Sequence, residues 1–392
     1  MLGARGRRVS KFGSRFIASA DINSFYPSLY SHSLPWALVG KAHAKVNRSL
    51  SDWFNQFDLR VRECRRGETV GVAVGPGTSA IAAEVVLNAI DKDPSLKKFR
   101  YERFIDDYSL HATSREEAEE FLMALSGALR SYNLHLNPRK TRIEELPLPK
   151  TPGWIRELKA AARHVDTKNL QDVLDFLDLA IEVTQAKPDA SALKYALAAL
   201  EKRLIKPHPP MQSNSIARAL LSLSFHRPVA LPFLVRFVQK SKVKLSVPMA
   251  RHVDELLVHH SLSRRTDAVT WLLYLVQKQG LTLRRGTEKA ILESEDCLSL
   301  VLLWHVGSAR AKDDVEDFAK ALIPSTVDDY ERDQYWLLLF ELQLARKIKR
   351  PYGANDNDFK TLIDSGVRFV DFGTRLKAPP RMSSSSPYSI TE

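Results

Sequence analysis

Cysteine is nearly absent: two residues among 392, Cys64 and Cys297. Two thiols so far apart make neither a disulfide framework nor a zinc cluster, so the chain reads as reduced. Long apolar runs are missing as well. No segment reaches the roughly 18 apolar residues that a bilayer requires, so no membrane partner is expected. The basic start "MLGARGRRVSKFGSRF" is not followed by the apolar stretch of a secretory signal. These absences together predict a cytoplasmic protein.

Basic residues are in excess. Lys and Arg number 58 against 46 Asp and Glu, a formal net charge of +12. That balance favours a polyanionic partner, and nucleic acid over membrane because no strongly basic amphipathic helix stands out. A generally basic, solubilising surface is the plainer alternative, and composition leaves both open. The hydrophobic share of 44% is ordinary for a globular protein, and the length allows two or three domains.

The character of the chain changes near residue 150. Before it, β-like runs at 15–22 (RFIASADI), 69–75 (TVGVAVG) and 100–112 (RYERFIDDYSLHA) alternate with helical patterns. In "TSAIAAEVVLNAIDKD" Ile81, Val85, Leu87 or Asn88 and Ala89 fall at helical spacings. "SREEAEEF" opens with a capping box, Ser114 to Glu117, followed by an apolar stripe of Phe121, Leu122, Leu125 and Leu129. Strands separated by helices predict an α+β domain over 1–150. A Pro-rich linker follows and is placed at 151–164. From 165 to 375 almost only helices are expected, at 213–225, 229–240, 248–260, 266–279, 286–306, 312–323 and 328–347 among others. Their lengths and short loops suggest a HEAT-like all-α helical-repeat domain, with a compact bundle as the alternative. The tail at 376–392 (LKAPPRMSSSSPYSITE) is Pro/Ser-rich and reads as disordered.

Chemistry is suggested by three acids. Asp106 and Asp107 lie side by side after the strand-like "RYERFI", where two unpaired carboxylates are costly. Asp21 ends another apolar strand. Two neighbouring strands ending in acids can bring all three together, which is tolerable if divalent cations sit among them. Magnesium suits such oxygen ligands, and two ions about 4 Å apart can activate a hydroxyl and stabilise leaving pyrophosphate. Between the acids, "GVAVGPGTS" makes a glycine turn before a helix, where backbone can approach an anion.

The order of these elements resembles the palm of a reverse transcriptase. "DINSFYPSLY" looks like motif A, "GVAVGPGTS" like motif B, "RFIDDY" like the [Y/F]xDD motif C and "SYNLHLNPRKTRI" like motif D. Within that superfamily the chain looks most similar to bacterial abortive-infection (AbiK-like) defence reverse transcriptases, which also carry a helical C-terminal region. The resemblance implies an antiparallel palm sheet with packed helices. It implies an RNA-directed DNA polymerase, a nucleotidyltransferase acting on dNTPs with DNA and RNA as nucleic-acid partners. A homo-oligomer is a further expectation. Asp21, Asp106 and Asp107, with the carbonyl of Ile22, would hold two Mg2+ ions, Mn2+ being a substitute. Lys140 would serve the departing pyrophosphate. Tyr26 would screen the substrate sugar with Phe25 beside it in the substrate site, core packing under the following helix being the plainer alternative for both, and Gly75 and Pro76 would shape the floor under the nucleotide.

Two features depart from the family pattern. Ala73, Val74 and Gly75 stand where templated enzymes commonly read Pro-Gln-Gly, which fits template-independent, protein-primed synthesis in antiphage defence. Asp21 lies only twenty residues from Met1, so the fingers that precede motif A are expected to be missing and the chain to be N-terminally truncated. Arg5, Arg7, Arg8, Lys11 and Arg15 are the remaining candidates for holding phosphates there. A different reading of the same chain is a non-catalytic nucleic-acid-binding or assembly subunit on a helical scaffold, and a templated retron-like enzyme is a third. His252, His259 and His260 lack ligand spacing. Trp36, Trp271, Trp304, Tyr335 and Trp336 are expected in the core. Arg284–Arg285 and "ARKIKR" at 345–350 are basic pairs and runs that either track a phosphate backbone or simply end helices.

Overall fold

A computed structural model describes residues 12–149, 151–188, 191–204, 210–324, 327–353 and 357–371. The tail at 376–392 and the cations Arg5, Arg7, Arg8 and Lys11 lie outside the described residues. The chain divides into two compact units, Met1–Lys150 and Thr151–Glu392.

The first unit runs β1 (Phe16–Asp21), α1 (Phe25–Ser28), α2 (Ser33–Val39), α3 (Lys41–Val46), α4 (Trp53–Glu63), α5 (Gly77–Asp91), β2 (Tyr101–Phe104), β3 (Asp107–Ala112), α6 (Arg115–Arg130) and β4 (Arg142–Glu145). Its four strands form one antiparallel sheet in the order β2-β3-β1-β4. Side chains alternate across a sheet, so register decides what each face carries. The pairs Ala18↔Leu110 and Ala20↔Tyr108 share the buried face, and α6 covers it with Phe121, Leu125 and Leu129. The pairs of opposite parity, Ser19↔Ser109 and Asp21↔Asp107, share the other face. The capping box is half built. Ser114 caps the N–H of Glu117, while Glu117 turns its carboxylate to the N–H and hydroxyl of Thr113.

The segment at 69–75 does not form the expected strand. It makes one isolated bridge, Tyr30↔Val70, and then spends its N–H groups on α1, Gly71 on Leu29 and Val72 on Tyr26. Gly71 has φ +89°, and a β-carbon there would come within 2.9 Å of the Pro27 carbonyl oxygen. Close approach of two backbones fixes that glycine. The apolar face of α5 also differs from the expected one: Ala82, Ala83, Val86, Leu87 and Ile90 are buried, whereas Ile81 is 63% exposed. Apolar residues occur all round this helix, so spacing alone did not single out the face.

The second unit comprises α7 (Gly153–His164), α8 (Leu170–Ala186), α9 (Ala192–Arg203), α10 (Pro210–His226), α11 (Leu231–Lys240), α12 (Val247–Leu262), α13 (Thr266–Gln279), α14 (Arg285–Glu293), α15 (Cys297–Val306), α16 (Ala309–Ala321), α17 (Asp329–Gln334), α18 (Trp336–Leu344) and α19 (Asn357–Asp364). Residues 151–164, expected as a linker, are therefore mostly helix. Ile155, Leu158 and Ala162 recur on one face of α7 and are buried, Leu158 and Ala162 in the core of this unit. The continuous helix expected at 286–306 breaks at Glu295, which has φ +52°, and Asp296 caps the restart through the N–H of Ser299. Tyr335 likewise divides the expected 328–347 helix. Of the aromatics expected inside, Trp336 is 41% exposed and packs its edge on Phe369.

These helices stack in two layers. α9, α11, α13 and α15 pack successively in one layer, and α10, α12, α14 and α16 in the other. Side-chain bonds give their directions. Glu201 near the end of α9 meets Lys240 at the end of α11, and Gln279 at the end of α13 bonds the backbone at Val243 and Leu245 just beyond α11. At the opposite edge Thr266 at the start of α13 meets Asp296 just before α15. Helices within a layer therefore run parallel.

His260 on α12 is fully buried. Burial holds its imidazole below the usual range, and the neighbouring His259 acts in the same direction, with Arg265 adding to it and Asp267 opposing. A lowered folded-state value means the unfolded chain binds the proton more readily, so stability is lost as pH falls below about 6.5. Thermal melts from pH 7.5 to 5.5 should show Tm falling more steeply for the parent chain than for His260→Leu. Parallel curves would contradict this account.

Candidate metal and nucleotide site

The site begins with strand register. Asp21 is the last residue of β1 and Asp107 the first of β3, directly opposite each other. Like charges so placed repel. Phe104 pairs with Asp107, leaving Ile105 and Asp106 as a two-residue turn between β2 and β3. One carboxylate oxygen from each of Asp21, Asp106 and Asp107 lies within 4.8 Å of the others. The three acids named from the sequence are thus brought together.

Holding them there costs conformational energy. Ile105 has φ +55°, a value for which hairpin turns ordinarily use glycine and at which a β-branched residue is strained. Arg103 braces the turn. Its Nη1 donates to the Ile105 carbonyl at 3.1 Å, Nε donates to Asp91 at 2.8 Å, and Nη1 and Nη2 both reach Glu84. Tyr101 donates its hydroxyl to the other oxygen of Asp91. The bond from Arg103 holds Glu84 below the usual carboxylate range. Two acids of α5 therefore anchor the arginine that grips the strained turn. On the other side the Ile22 N–H donates to the Asp106 carbonyl at 3.3 Å. An extended residue aims its N–H and C=O to the same strand edge, so the Ile22 carbonyl faces the Asp106 side.

A second element reaches the acids from the segment before β4. Leu136 bridges to Ile22, and the Asn137 N–H donates to the Asp21 carbonyl at 2.7 Å. Its side-chain amide donates to Asp21 Oδ2 at 3.2 Å, and the Lys140 ammonium donates to Oδ1 at 3.2 Å. The Asn137 carbonyl in turn accepts from the N–H groups of Lys140 and Thr141, closing the turn that aims the lysine. Asn137 lies in the leucine–asparagine–lysine pattern of the stretch that resembles motif D, but the sequence assigns it no role at the site. The signal was there, since Asn-Pro opens turns, but nothing local tells that the turn packs on Asp21.

Electrostatics leave this cluster short of positive charge. Asp106 is pushed up by burial and by Asp21, with Lys140 opposing; Asp107 is pushed up by burial, Asp106 and Asp21. Lys140 is pushed up by its bond to Asp21 and by all three acids. One mostly exposed ammonium against three carboxylates leaves two charges uncompensated, and the oxygen-only donor set suits a hard divalent cation.

The remaining expected residues divide. Phe25 is 2% exposed and belongs to the core, so of the aromatic pair only the half-buried Tyr26 keeps surface for a nucleotide. Gly75, with φ +118°, and Pro76 form the exposed turn that caps α5. Arg15 continues the ladder at the far end of β1, roughly 20 Å of extended chain from Asp21, and does not serve the acids.

Two outcomes follow from this geometry. Without divalent ions, Asp106→Asn should melt at a higher temperature than the parent because it removes repulsion. With saturating Mg2+ the order should reverse, since only the parent gains binding energy. Identical melts under both conditions would contradict the repulsion. Arg103→Ala should cost about 1–3 kcal/mol in urea unfolding by removing the bonds to the Ile105 carbonyl, Glu84 and Asp91, the last keeping only Tyr101. A change under about 0.5 kcal/mol, the range of ordinary surface substitutions, would remove the bracing role.

No curated protein matches the chain. Residues 9–174 match the family model described as reverse transcriptase (RNA-dependent DNA polymerase), a span that contains all three acids, the glycine turn, Asn137 and Lys140.

Proposed function

We propose that the protein is a DNA polymerase of the reverse-transcriptase type, joining a dNTP to a hydroxyl primer with release of pyrophosphate. The convergence of Asp21, Asp106 and Asp107 within 4.8 Å carries this reading. These three carboxylates, with the Ile22 carbonyl, would hold two divalent ions, Mg2+ or Mn2+. Such ions lower the pKa of an attacking hydroxyl and neutralise the leaving group. Asn137 fixes one oxygen of Asp21, leaving the carboxylate oriented toward its two neighbours. Lys140 supplies positive charge at the same place and can pass a proton to pyrophosphate. Tyr26, one turn beyond Asp21 and backed by Phe25, would contact the sugar. The Gly75–Pro76 turn at the start of α5 would underlie the nucleotide, with the free N–H groups of that helix toward phosphate.

Ala73 and Val74, standing where Pro-Gln is common, favour synthesis without a template. The likeness of "DINSFYPSLYSHSLPWALVGKA" to abortive-infection enzymes favours a role in antiphage defence, with protein priming and a HEAT-like repeat in the helical unit. The priming group is not assigned to any one tyrosine.

The test is dNTP incorporation by the full chain with and without added template, in Mg2+ and in Mn2+. Asp106→Ala should lower incorporation by at least roughly 10²–10³-fold. Lys140→Ala should lower it by roughly 10²-fold, as expected for loss of a general acid. Equal incorporation by Asp106→Ala and the parent would refute the assignment, whereas salt-sensitive nucleic-acid binding without incorporation would favour a binding subunit.

A further inference from the structure

The parallel stacking of α9, α11, α13 and α15 collects their C-terminal ends, and the loops that follow, along one edge of the helical unit. That edge is cross-linked from loop to loop. Arg236 and Lys240 grip Glu201. Gln279 accepts from the Leu245 N–H and donates to the Val243 carbonyl. Arg284 bonds Asp254 at 3.0 Å, and Glu288 takes both the N–H and the hydroxyl of Ser308. Glu201, Asp254 and Glu288 are thus engaged inside the edge.

The cations are not. Lys242 and Lys244 flank Val243 and are exposed, as are Arg285 at the start of α14 and Arg310 at the start of α16. Arg285 and Arg310 both line a cavity of about 290 Å³ with Lys289, which pairs with Glu293, and with the carboxylates Glu288 and Asp314. Lys242 has φ +52° at the end of its helix, as Arg264 has φ +50° on the opposite edge, so backbone conformation does not distinguish the two edges and charge must. The opposite edge differs. It carries Arg227, Arg264 and Arg265, but Glu293, Glu295 and Asp296 follow in the next loop, so positive charge is not continuous there.

We propose that the edge carrying Lys242, Lys244 and Arg285 is a track for the phosphodiester backbone of nucleic acid. At roughly 8–10 Å between neighbouring helices, the loops after α11, α13 and α15 spread Lys242, Lys244, Arg285 and Arg310 over about 16–20 Å, comparable to about five or six duplex steps of 3.4 Å. Cations on flexible stems at that spacing contact phosphates without reading bases, so binding is independent of sequence. The carboxylates already paired within the edge keep it rigid without lowering its outward charge.

The inference goes beyond polymerisation, and its test runs without that chemistry. Binding of a labelled 30-nucleotide single strand and of its duplex to the full chain is followed by anisotropy in EDTA, without dNTP, over a salt series. The neutralised variant Lys242→Gln/Lys244→Gln/Arg285→Gln alters only exposed side chains, and an unchanged Tm checks its fold. Loss of three phosphate contacts should reduce the slope of log K against log salt by about 2 for single strands and about 3 for duplex. A matched variant on the other edge, Arg227→Gln/Arg264→Gln/Arg265→Gln, should leave the slope nearly as in the parent. Equal slopes for the parent and the first variant, or equal losses in both variants, would overturn the track.

Discussion

The mutual repulsion of three carboxylates organises the first unit. Asp21, Asp106 and Asp107 are held closer than free carboxylates would remain, and each contact around them opposes their separation. Ladder register sets Asp21 against Asp107. A strained turn at Ile105 carries Asp106 beside them, and Arg103, anchored on α5, keeps that turn from relaxing. Asn137 and Lys140 close the other side on Asp21. The strain at Ile105 and the crowding of three like charges are offset by an ordinary core under α6.

The two faces of the small sheet divide the labour. Ala18, Ala20, Tyr108 and Leu110 fill the buried face, so the strands cannot slip by one residue without exposing them. The same constraint fixes the acids on the opposite face, because parity assigns both at once. Stability and site geometry therefore come from one register. In the helical unit a comparable economy operates. Acids such as Glu201, Asp254 and Glu288 tie successive loops together, while Lys242, Lys244 and Arg285 on the same edge are exposed.

Much of the site was legible because it is local in sequence. Strand-ending acids and a glycine turn before a helix announce themselves in short stretches, and Asp21, Asp106 and Asp107 converge as their positions imply. What was not legible depends on partners distant in the chain. Asn137 reaches Asp21 across 116 positions, and Arg103 meets Glu84 from a neighbouring element. Neither contact leaves a periodic trace. The segment at 69–75 has strand-like composition, yet Gly71 presses against Pro27 and its N–H groups go to α1. Helix α7 was mistaken for a linker because the prolines before it dominate the composition, while its own spacing of Ile155, Leu158 and Ala162 is helical. Phe25 and Tyr26, adjacent and similar, part company only because one points into the core.

The central claim is that these carboxylates are gathered to hold divalent cations. Electron paramagnetic resonance of Mn2+ titrated into the full chain, without nucleotide, tests it directly. The account predicts saturable loss of the free-ion signal in the parent, and its disappearance as a bound population in Asp21→Asn and Asp106→Asn alike. Binding of the same strength in the parent and in both variants would contradict it.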